Sequence, residues 1–150
     1  MAFRDILIAL ASYPEPTPVS VVEDAVSVAA ALGAHVAALS VETRVQVPGH
    51  FVSASLVNGM IAGENNKSRK NAHELLAAFN VAAGRCGLLH EAILEKCITL
   101  DVPDLLVEYA RIRDLTILSV PASYDQWYAE AIIFGVHLRG RPPCEAGVAD

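Results

Sequence analysis

The chain has 150 residues, of which 53% are hydrophobic, 6% aromatic and 19% charged, and its mean hydropathy is +0.39. The aliphatic excess excludes an intrinsically disordered chain, because such chains lack the apolar surface that offsets the entropy of ordering, and the length fits one domain. The formal net charge of −6 argues against nucleic acid or anionic lipid as a partner, because it offers no general attraction to phosphates.

The N-terminal region predicts a β-α-β unit. Ile6 to Leu10 is a short aliphatic run typical of a buried strand, and three prolines follow it at 14, 16 and 18. Ser20 and Glu23 have the spacing of a capping box for a first helix, and Gly33 stands where that helix should end. The predicted buried stripe of this helix consists of Val22, Ala25, Val26, Ala29 and Leu32. Ala34 to Val41 is a second strand, which a right-handed crossover makes parallel to the first.

The connection after the second strand is unusually apolar. Val45 to Gly63 contains no Asp, Glu, Lys or Arg, but Pro48, Gly49 and Gly59 interrupt it, so we predict a loop with an apolar patch and not a membrane helix. Two interpretations of Val45 to Ala62 stay open. The segment covers a pocket or contacts a second subunit, or it is a short helix packed on its own sheet.

The next elements are a helix and a third strand. Glu64 to Cys86 has helical periodicity and Gly87 ends it. Its buried stripe is predicted to be Ala72, Leu75, Leu76, Phe79 and Ala83. Glu91 to Ile98 is the third strand, and the charges of Glu95 and Lys96 within it predict an edge position.

The remaining pattern is a helix, a fourth strand and a weak last helix. Asp101 is predicted to cap the helix, with Pro103 in its first turn. Leu105, Leu106, Tyr109 and Ile112 form its predicted buried stripe. Leu115 to Val120 is the fourth strand, and Tyr124 to Phe134 has moderate helical character. The order of elements predicts an α/β protein, a three-layer sandwich whose ligands bind at the carboxyl ends of the parallel strands.

The order of these elements and the local residues resemble the universal stress protein family. The resemblance rests on Phe3-Arg4-Asp5-Ile6-Leu7-Ile8-Ala9, on Ala29-Ala30-Ala31-Leu32-Gly33-Ala34-His35-Val36, and on Tyr109-Ala110-Arg111 followed by Asp114-Leu115-Thr116-Ile117-Leu118. It covers roughly residues 3–121 and implies an adenine-nucleotide-alpha-hydrolase-like fold, a parallel sheet of order 3-2-1-4-5, and dimers. Residues 1–142 are interpreted as one such domain and 143–150 as an atypical tail.

The sequence departs from the nucleotide-binding pattern that the resemblance implies. ATP-binding members have an acidic residue after the first strand and a glycine-rich phosphate loop after the fourth. Here Ala11 and Ser12 follow the first strand, and Ser119-Val120-Pro121-Ala122-Ser123-Tyr124 follows the fourth without glycine. The candidate crevice residues are Leu10, Ala11, Ser12, Val41, Ser119, Val120 and Ser123. Either these hydroxyls and the next helix start form a residual anion site, or Ser123 or Asp125 only caps that helix.

The C-terminal tail is the second departure. Gly140-Arg141-Pro142 matches the turn before the family's fifth strand, but the residues after it make a poor strand. Either the sheet has four strands and a loose tail, or the tail pairs irregularly at an edge, or a change of reading frame has altered the C-terminus. Without a fifth strand the fourth strand becomes an exposed edge, and the resemblance no longer implies the family's dimer contact in that region.

Other chemistry finds little support in the sequence. His73 and Glu74 are adjacent on a helix, so their side chains point about 100° apart, and no metal-binding or nucleophile motif is present. Cys86 and Cys97 are interpreted as small buried hydrophobes, while Cys144 lies in the tail. Three cysteines without C-x-x-C spacing argue against a disulfide framework, and no signal peptide precedes the first strand, so we expect a cytoplasmic protein.

We therefore expect a non-enzymatic protein similar to universal stress proteins, which acts through association or ligand sensing with weak or no ATP binding. The rival hypothesis is an ATP- or AMP-binding module, or a slow ATP hydrolase, with a modified phosphate loop. A third is one half of a tandem pair whose role is pairing. The expected partners are a second copy or a related domain and a small-molecule ligand, with no cofactor other than ATP under the rival hypothesis.

Overall fold

The computed structural model describes residues 3–46 and 54–119. Its strands are β1 (Asp5–Leu10), β2 (His35–Arg44), β3 (His90–Ile98) and β4 (Leu115–Leu118). Its helices are α1 (Val19–Leu32), α2 (Ala54–Arg85) and α3 (Val102–Ala110), and a 3-10 turn, Thr99–Asp101, leads into α3.

The four strands form one parallel sheet in the order β3-β2-β1-β4. At its centre Ile8 of β1 lies between Ala38 of β2 and Ile117 of β4. The α/β class, the parallel sheet and the order of the first four strands are confirmed, and β3 is the edge strand that its charges predicted. The predicted fifth strand, the helix over 124–134 and the tail 143–150 lie outside the described residues.

The two central strands, β1 and β2, are buried on both faces, and this explains their continuous aliphatic runs. On β1, Ile6 and Ile8 belong to the core beneath α1 and α2, whereas Leu7 and Ala9 belong to the core beneath α3. The first core also contains Val22, Val26, Ala29, Leu75, Leu76 and Phe79. The second also contains Ala37, Leu39, Val41, Val102, Leu106 and Ala110. The molecule is therefore a three-layer sandwich, as predicted.

The ends of α1 show one wrong prediction and one confirmed one. The helix begins at Val19 with Pro18 at the N-cap and no side-chain capping bond, so the capping box of Ser20 and Glu23 is wrong. The Pro18 carbonyl accepts the N–H of Val21 at 3.0 Å, so the first turn is already formed before Ser20 could serve as a cap. Gly33 ends the helix as predicted, at a φ of 63° that L side chains rarely adopt.

Helix α2 is longer than its periodicity predicts. It begins at Ala54, within the segment predicted as a loop, so that prediction is wrong from Ala54 onward. Leu56 and Met60 lie in this first part and are 68% and 69% exposed, so the alternative of a helix packed against its own sheet does not apply to those two side chains. No helix among the described residues combines the length and the apolar character needed to cross a bilayer.

Three further burial predictions are wrong, and each concerns the end of a helix. Leu32 is 39% exposed on the last turn of α1, and Ile112 is 73% exposed because α3 ends at Ala110 and does not include it. Cys86 is exposed after the last residue of α2. Cys97 is half-buried and packs against the core beneath α3, in line with its interpretation as a small hydrophobe.

The last two elements differ from the prediction in detail. Asp101 occupies the N-cap position of α3 but makes no side-chain capping bond, because its backbone is already helical after the 3-10 turn. Strand β4 ends at Leu118, two residues before the predicted end at Val120, which lies outside the described residues.

Charged side chains connect the starts of the strands. The Arg113 guanidinium, only 9% exposed, donates at 2.8 Å to the carboxylates of both Asp5 and Glu91. His35 lies 2.7 Å from the same Asp5 oxygen, and the Asp114 carboxylate accepts the Asp5 backbone N–H at 3.0 Å. The hydrogen bond from His35, with a further contribution from Arg113, lowers the pKa of the Asp5 carboxyl. These bonds fix the strand starts relative to one another.

Candidate functional site

The predicted crevice lies at the carboxyl edge of the sheet, where the strands end. Leu10, the last residue of β1, is 4% exposed and lies beside Ser40 of β2. The loop after it is closed by Thr17, whose backbone N–H donates to the Ala11 carbonyl at 2.8 Å and whose hydroxyl accepts the Ala11 N–H at 2.9 Å. A cis peptide bond joins Tyr13 to Pro14 in this loop. The Ala11 backbone therefore has both of its polar groups paired within the loop.

Ser12 is the centre of a chain of buried hydrogen bonds, which we call the hydroxyl chain. Its hydroxyl donates to the Val41 carbonyl and accepts from the Ser68 hydroxyl at 2.9 Å. The Ser68 oxygen in turn accepts the Thr43 backbone N–H at 2.9 Å. Ser12 is 3% exposed and Ser68 1%, so both hydroxyls are shielded from water. The structure thus brings Ser12 into direct contact with Val41, both predicted site residues, and adds Ser68 of α2, which was not predicted.

Two asparagines of α2 extend these contacts. The Asn71 amide donates to the Ser12 carbonyl at 3.1 Å, and the Asn65 carbonyl oxygen accepts the Val45 N–H at 2.8 Å. Ser68 lies four residues before Ala72 on the buried stripe of α2, and Asn65 lies seven before it. Continuing that stripe backward through the polar part of the helix is the signal that would have found both residues.

Ser40 adds an unusual feature beside the hydroxyl chain. It is 0% exposed, and its hydroxyl has no hydrogen-bond partner in the described structure. Ser119 directly follows β4 and is half-buried. Val120 and Ser123, the other predicted site residues, lie outside the described residues. The part of the candidate site that the structure describes is therefore the side formed by β1 and β2, together with Ser119 after β4.

A second polar cluster lies at the same edge, between α2 and the C-terminal parts of β2 and β3. The Glu42 carboxylate is only 11% exposed and is 3.0 Å from His73 Nε2 and 3.3 Å from Lys96 Nζ. Glu74 instead lies 3.8 Å from Lys70, so the adjacent His73 and Glu74 have different partners, as their helical spacing predicts. His73 and Lys96 thus offset the cost of burying the Glu42 carboxylate.

Cys97 and Tyr109 have raised pKa values. Burial, then the charges of Asp101 and Glu95, raises the pKa of the Cys97 thiol and disfavours the reactive thiolate. The hydrogen bond from Tyr109 to the Glu95 carboxylate raises the pKa of the Tyr109 phenol. Within residues 3–46 and 54–119, no group of three His, Cys, Asp or Glu side chains is placed to hold a metal ion.

Comparison with known proteins defines the fold. No protein-family model and no curated protein matches the sequence. A crystal structure of a protein from the universal stress protein family of Burkholderia pseudomallei is 20% identical, with a TM-score of 0.58 over 88% of this chain and 89% of that one. The universal stress protein UspA from Lactobacillus plantarum is 14% identical, with a TM-score of 0.63 over 96% of this chain and 95% of that one. The chain therefore has a UspA-like fold.

Proposed function

We propose that the protein is a universal-stress-type protein that acts by association or ligand sensing and not by catalysis, with weak or no ATP binding. The UspA-like fold supports the class of protein. The hydroxyl chain supports weak or absent ATP binding, because its hydrogen bonds occupy the polar groups that follow β1. As part of the same proposal, the protein is cytoplasmic and its partner is a second copy or a related domain.

The hydroxyl chain uses hydrogen-bond donors that a bound phosphate would need. A bound phosphate is held by free backbone N–H groups, hydroxyls and cations that face it. The Ala11 N–H is donated to Thr17, and the Ser12 hydroxyl hydrogen is donated to Val41. Neither donor can turn to a phosphate without leaving a buried oxygen or N–H unpaired, which costs about 1–3 kcal/mol for each group. Neither residue offers a carboxylate to hold a metal ion beside a nucleotide.

Calorimetric titration of the full chain with ATP and Mg²⁺, and separately with AMP, tests the proposal. We expect no saturable heat at micromolar nucleotide, and no release of inorganic phosphate from ATP. Saturable heat at micromolar nucleotide would refute the proposal and favour a nucleotide-binding module with a modified phosphate loop. Ser12→Ala is the informative variant. Under the proposal it lowers the stability of the fold and leaves nucleotide binding as weak as in the wild type.

A further inference from the structure

The first part of α2, residues 54–64, exposes large apolar side chains to solvent. Leu56 is 68% and Met60 69% exposed. They are four residues apart and therefore lie one above the other on the helix. Val57 and Ile61, each one residue further along the chain, point about 100° away and are half-buried. This part of α2 is therefore apolar on its outer side as well as its inner side, whereas a helix at a protein surface normally presents polar residues to water.

Two lysines continue the exposed row along α2. Met60, Lys67 and Lys70 follow Leu56 by four, eleven and fourteen residues. At about 100° per residue, all three point within about 40° of the direction of Leu56. Both lysines are exposed, and the row points away from Phe79 and the other residues of α2 that pack into the core. We call these four residues, Leu56, Met60, Lys67 and Lys70, the outer row of α2.

The surroundings of the outer row are basic, although the chain as a whole is acidic. Residues 44–74 contain four basic and two acidic residues, a formal charge of +2 on a chain of net charge −6. Lys67 has no ion pair among the described residues. Lys70 lies 3.8 Å from Glu74, but both side chains are more than half exposed, so water screens this pair. The net charge of the chain therefore conceals a local positive surface beside the exposed apolar side chains.

The residue types of the outer row favour a lipid surface over another protein. Interfaces between proteins are depleted in lysine, yet the outer row contains two of the three described lysines, which are at 67, 70 and 96. A lysine suits a lipid headgroup, because its long side chain buries methylene groups while its ammonium stays among the phosphates. Apolar residues and lysines on one exposed side of a helix are typical of helices that lie at a membrane surface.

We propose that the outer row of α2 binds the surface of a membrane that contains anionic lipids, reversibly and without crossing it. Its apolar side chains enter the boundary between headgroups and acyl chains, and its lysines contact the lipid phosphates. The row extends about 21 Å along the helix, so α2 lies along the surface. The exposed acids of the neighbouring α1, Glu23 and Asp24, confine the contact to α2. The proposal goes beyond the proposed function and does not depend on nucleotide binding, because the outer row faces away from the sheet.

Flotation of the full chain with lipid vesicles tests the proposal. We expect binding at millimolar lipid to vesicles of phosphatidylcholine with about 30% phosphatidylserine, and binding at least about tenfold weaker to pure phosphatidylcholine. Two double variants remove the two halves of the row: Leu56→Ser with Met60→Ser, and Lys67→Gln with Lys70→Gln. Each should weaken binding to the anionic vesicles at least about tenfold. All four side chains are exposed, so circular dichroism should show both variants folded.

The matched controls change the same kinds of side chain outside the outer row. Leu89→Ser with Ile112→Ser removes apolar side chains that are 78% and 73% exposed, and Arg85→Gln with Arg111→Gln removes two exposed charges. We expect both controls to bind the vesicles like the wild type. Absence of wild-type binding to anionic vesicles would overturn the proposal, as would binding that either outer-row variant leaves intact or that a control weakens as much.

Two measurements on the unmodified chain complete the test. Binding to the anionic vesicles should weaken as added salt screens the lysines, and binding that is insensitive to salt would contradict their role. Sedimentation velocity without lipid addresses a different occupant of the same surface. A dimer that the outer-row variants dissociate would mean that a second copy covers the row, and this would overturn the proposal of a lipid surface.

Discussion

Removing the Ser68 hydroxyl should measure how strongly the hydroxyl chain holds α2 to the sheet. In Ser68→Ala, the Thr43 N–H loses its acceptor and the Ser12 oxygen loses its donor, at positions 5% and 3% exposed. An unsatisfied buried N–H costs about 1–3 kcal/mol. Alanine recovers about 0.5 kcal/mol through its higher helix propensity. We therefore expect the free energy of unfolding to fall by about 1.5 kcal/mol, measured by urea denaturation followed by circular dichroism.

Ser27→Ala is the matched control. Ser27 is also within a helix, but it is exposed and donates only to the Glu23 carbonyl of its own helix, at 2.9 Å. This variant keeps the gain in helix propensity and leaves no buried group unpaired, so its stability should equal or slightly exceed that of the wild type. The difference between the two variants, about 2 kcal/mol, isolates the buried bonds.

Equal stability of the two variants would refute the reasoning, because it would mean that water or a rearranged side chain satisfies the Thr43 N–H at no cost. A double-mutant cycle with Ser12→Ala gives a second check. Since the two hydroxyls bond to each other at 2.9 Å, the cycle should show a coupling of at least about 0.5 kcal/mol. Independent effects would contradict the direct bond.

Three further outcomes follow from single residues. Gly33→Ala should cost about 1 kcal/mol in urea denaturation, because φ is 63° there although no atom lies within 4 Å of the added Cβ. The pKa of Asp5 is lowered, chiefly by its hydrogen bond from His35, so its carboxylate stabilises the fold fully above its unfolded pKa of about 3.9. The stability difference between wild type and Asp5→Asn, measured against pH, should therefore decline as the pH falls from about 3.9 through the lowered folded pKa; a difference that grows toward acid would contradict this. Cys97 should react with maleimide much more slowly than the exposed Cys86, because its raised pKa leaves little thiolate; equal rates would contradict it.

The sheet could be predicted from the sequence because its signals are local. A short aliphatic run such as Ile6 to Leu10 is typical of a strand that is buried on both faces of a sheet. The right-handed crossover through a helix then makes the next strand parallel to it. The start of α2 could not be predicted in this way. Asn58, Gly59 and Gly63 have poor helix propensity, and the local pattern suggests a loop. A helix extends through them because extension from an already formed helix is far less costly than nucleation.

The candidate site was only partly predictable, because its contacts are long-range. Ser12 was predicted from its place after the first strand, where the family resemblance implies an acidic residue, but its partner Ser68 lies 56 residues away in the sequence. The burial errors have a different origin. Leu32, Cys86 and Ile112 are residue types that are usually buried, yet all three lie where a helix has ended or is ending. Residue type does not reveal whether another layer covers such a position.

The contacts of Asn65, Ser68 and Asn71 divide α2 into two stretches that should differ in the free energy of local opening. The stretch after them packs through Leu75, Leu76 and Phe79 into the core, so we expect it to open only when the whole domain unfolds. Residues 54–64 precede the first of these hydrogen bonds and span about 16 Å of helix. Their amide protons can exchange through local fraying, which costs far less than global unfolding. We therefore expect the longest helix of the described structure to exchange its amide protons as two units, with the boundary at Asn65, which binds the Val45 backbone.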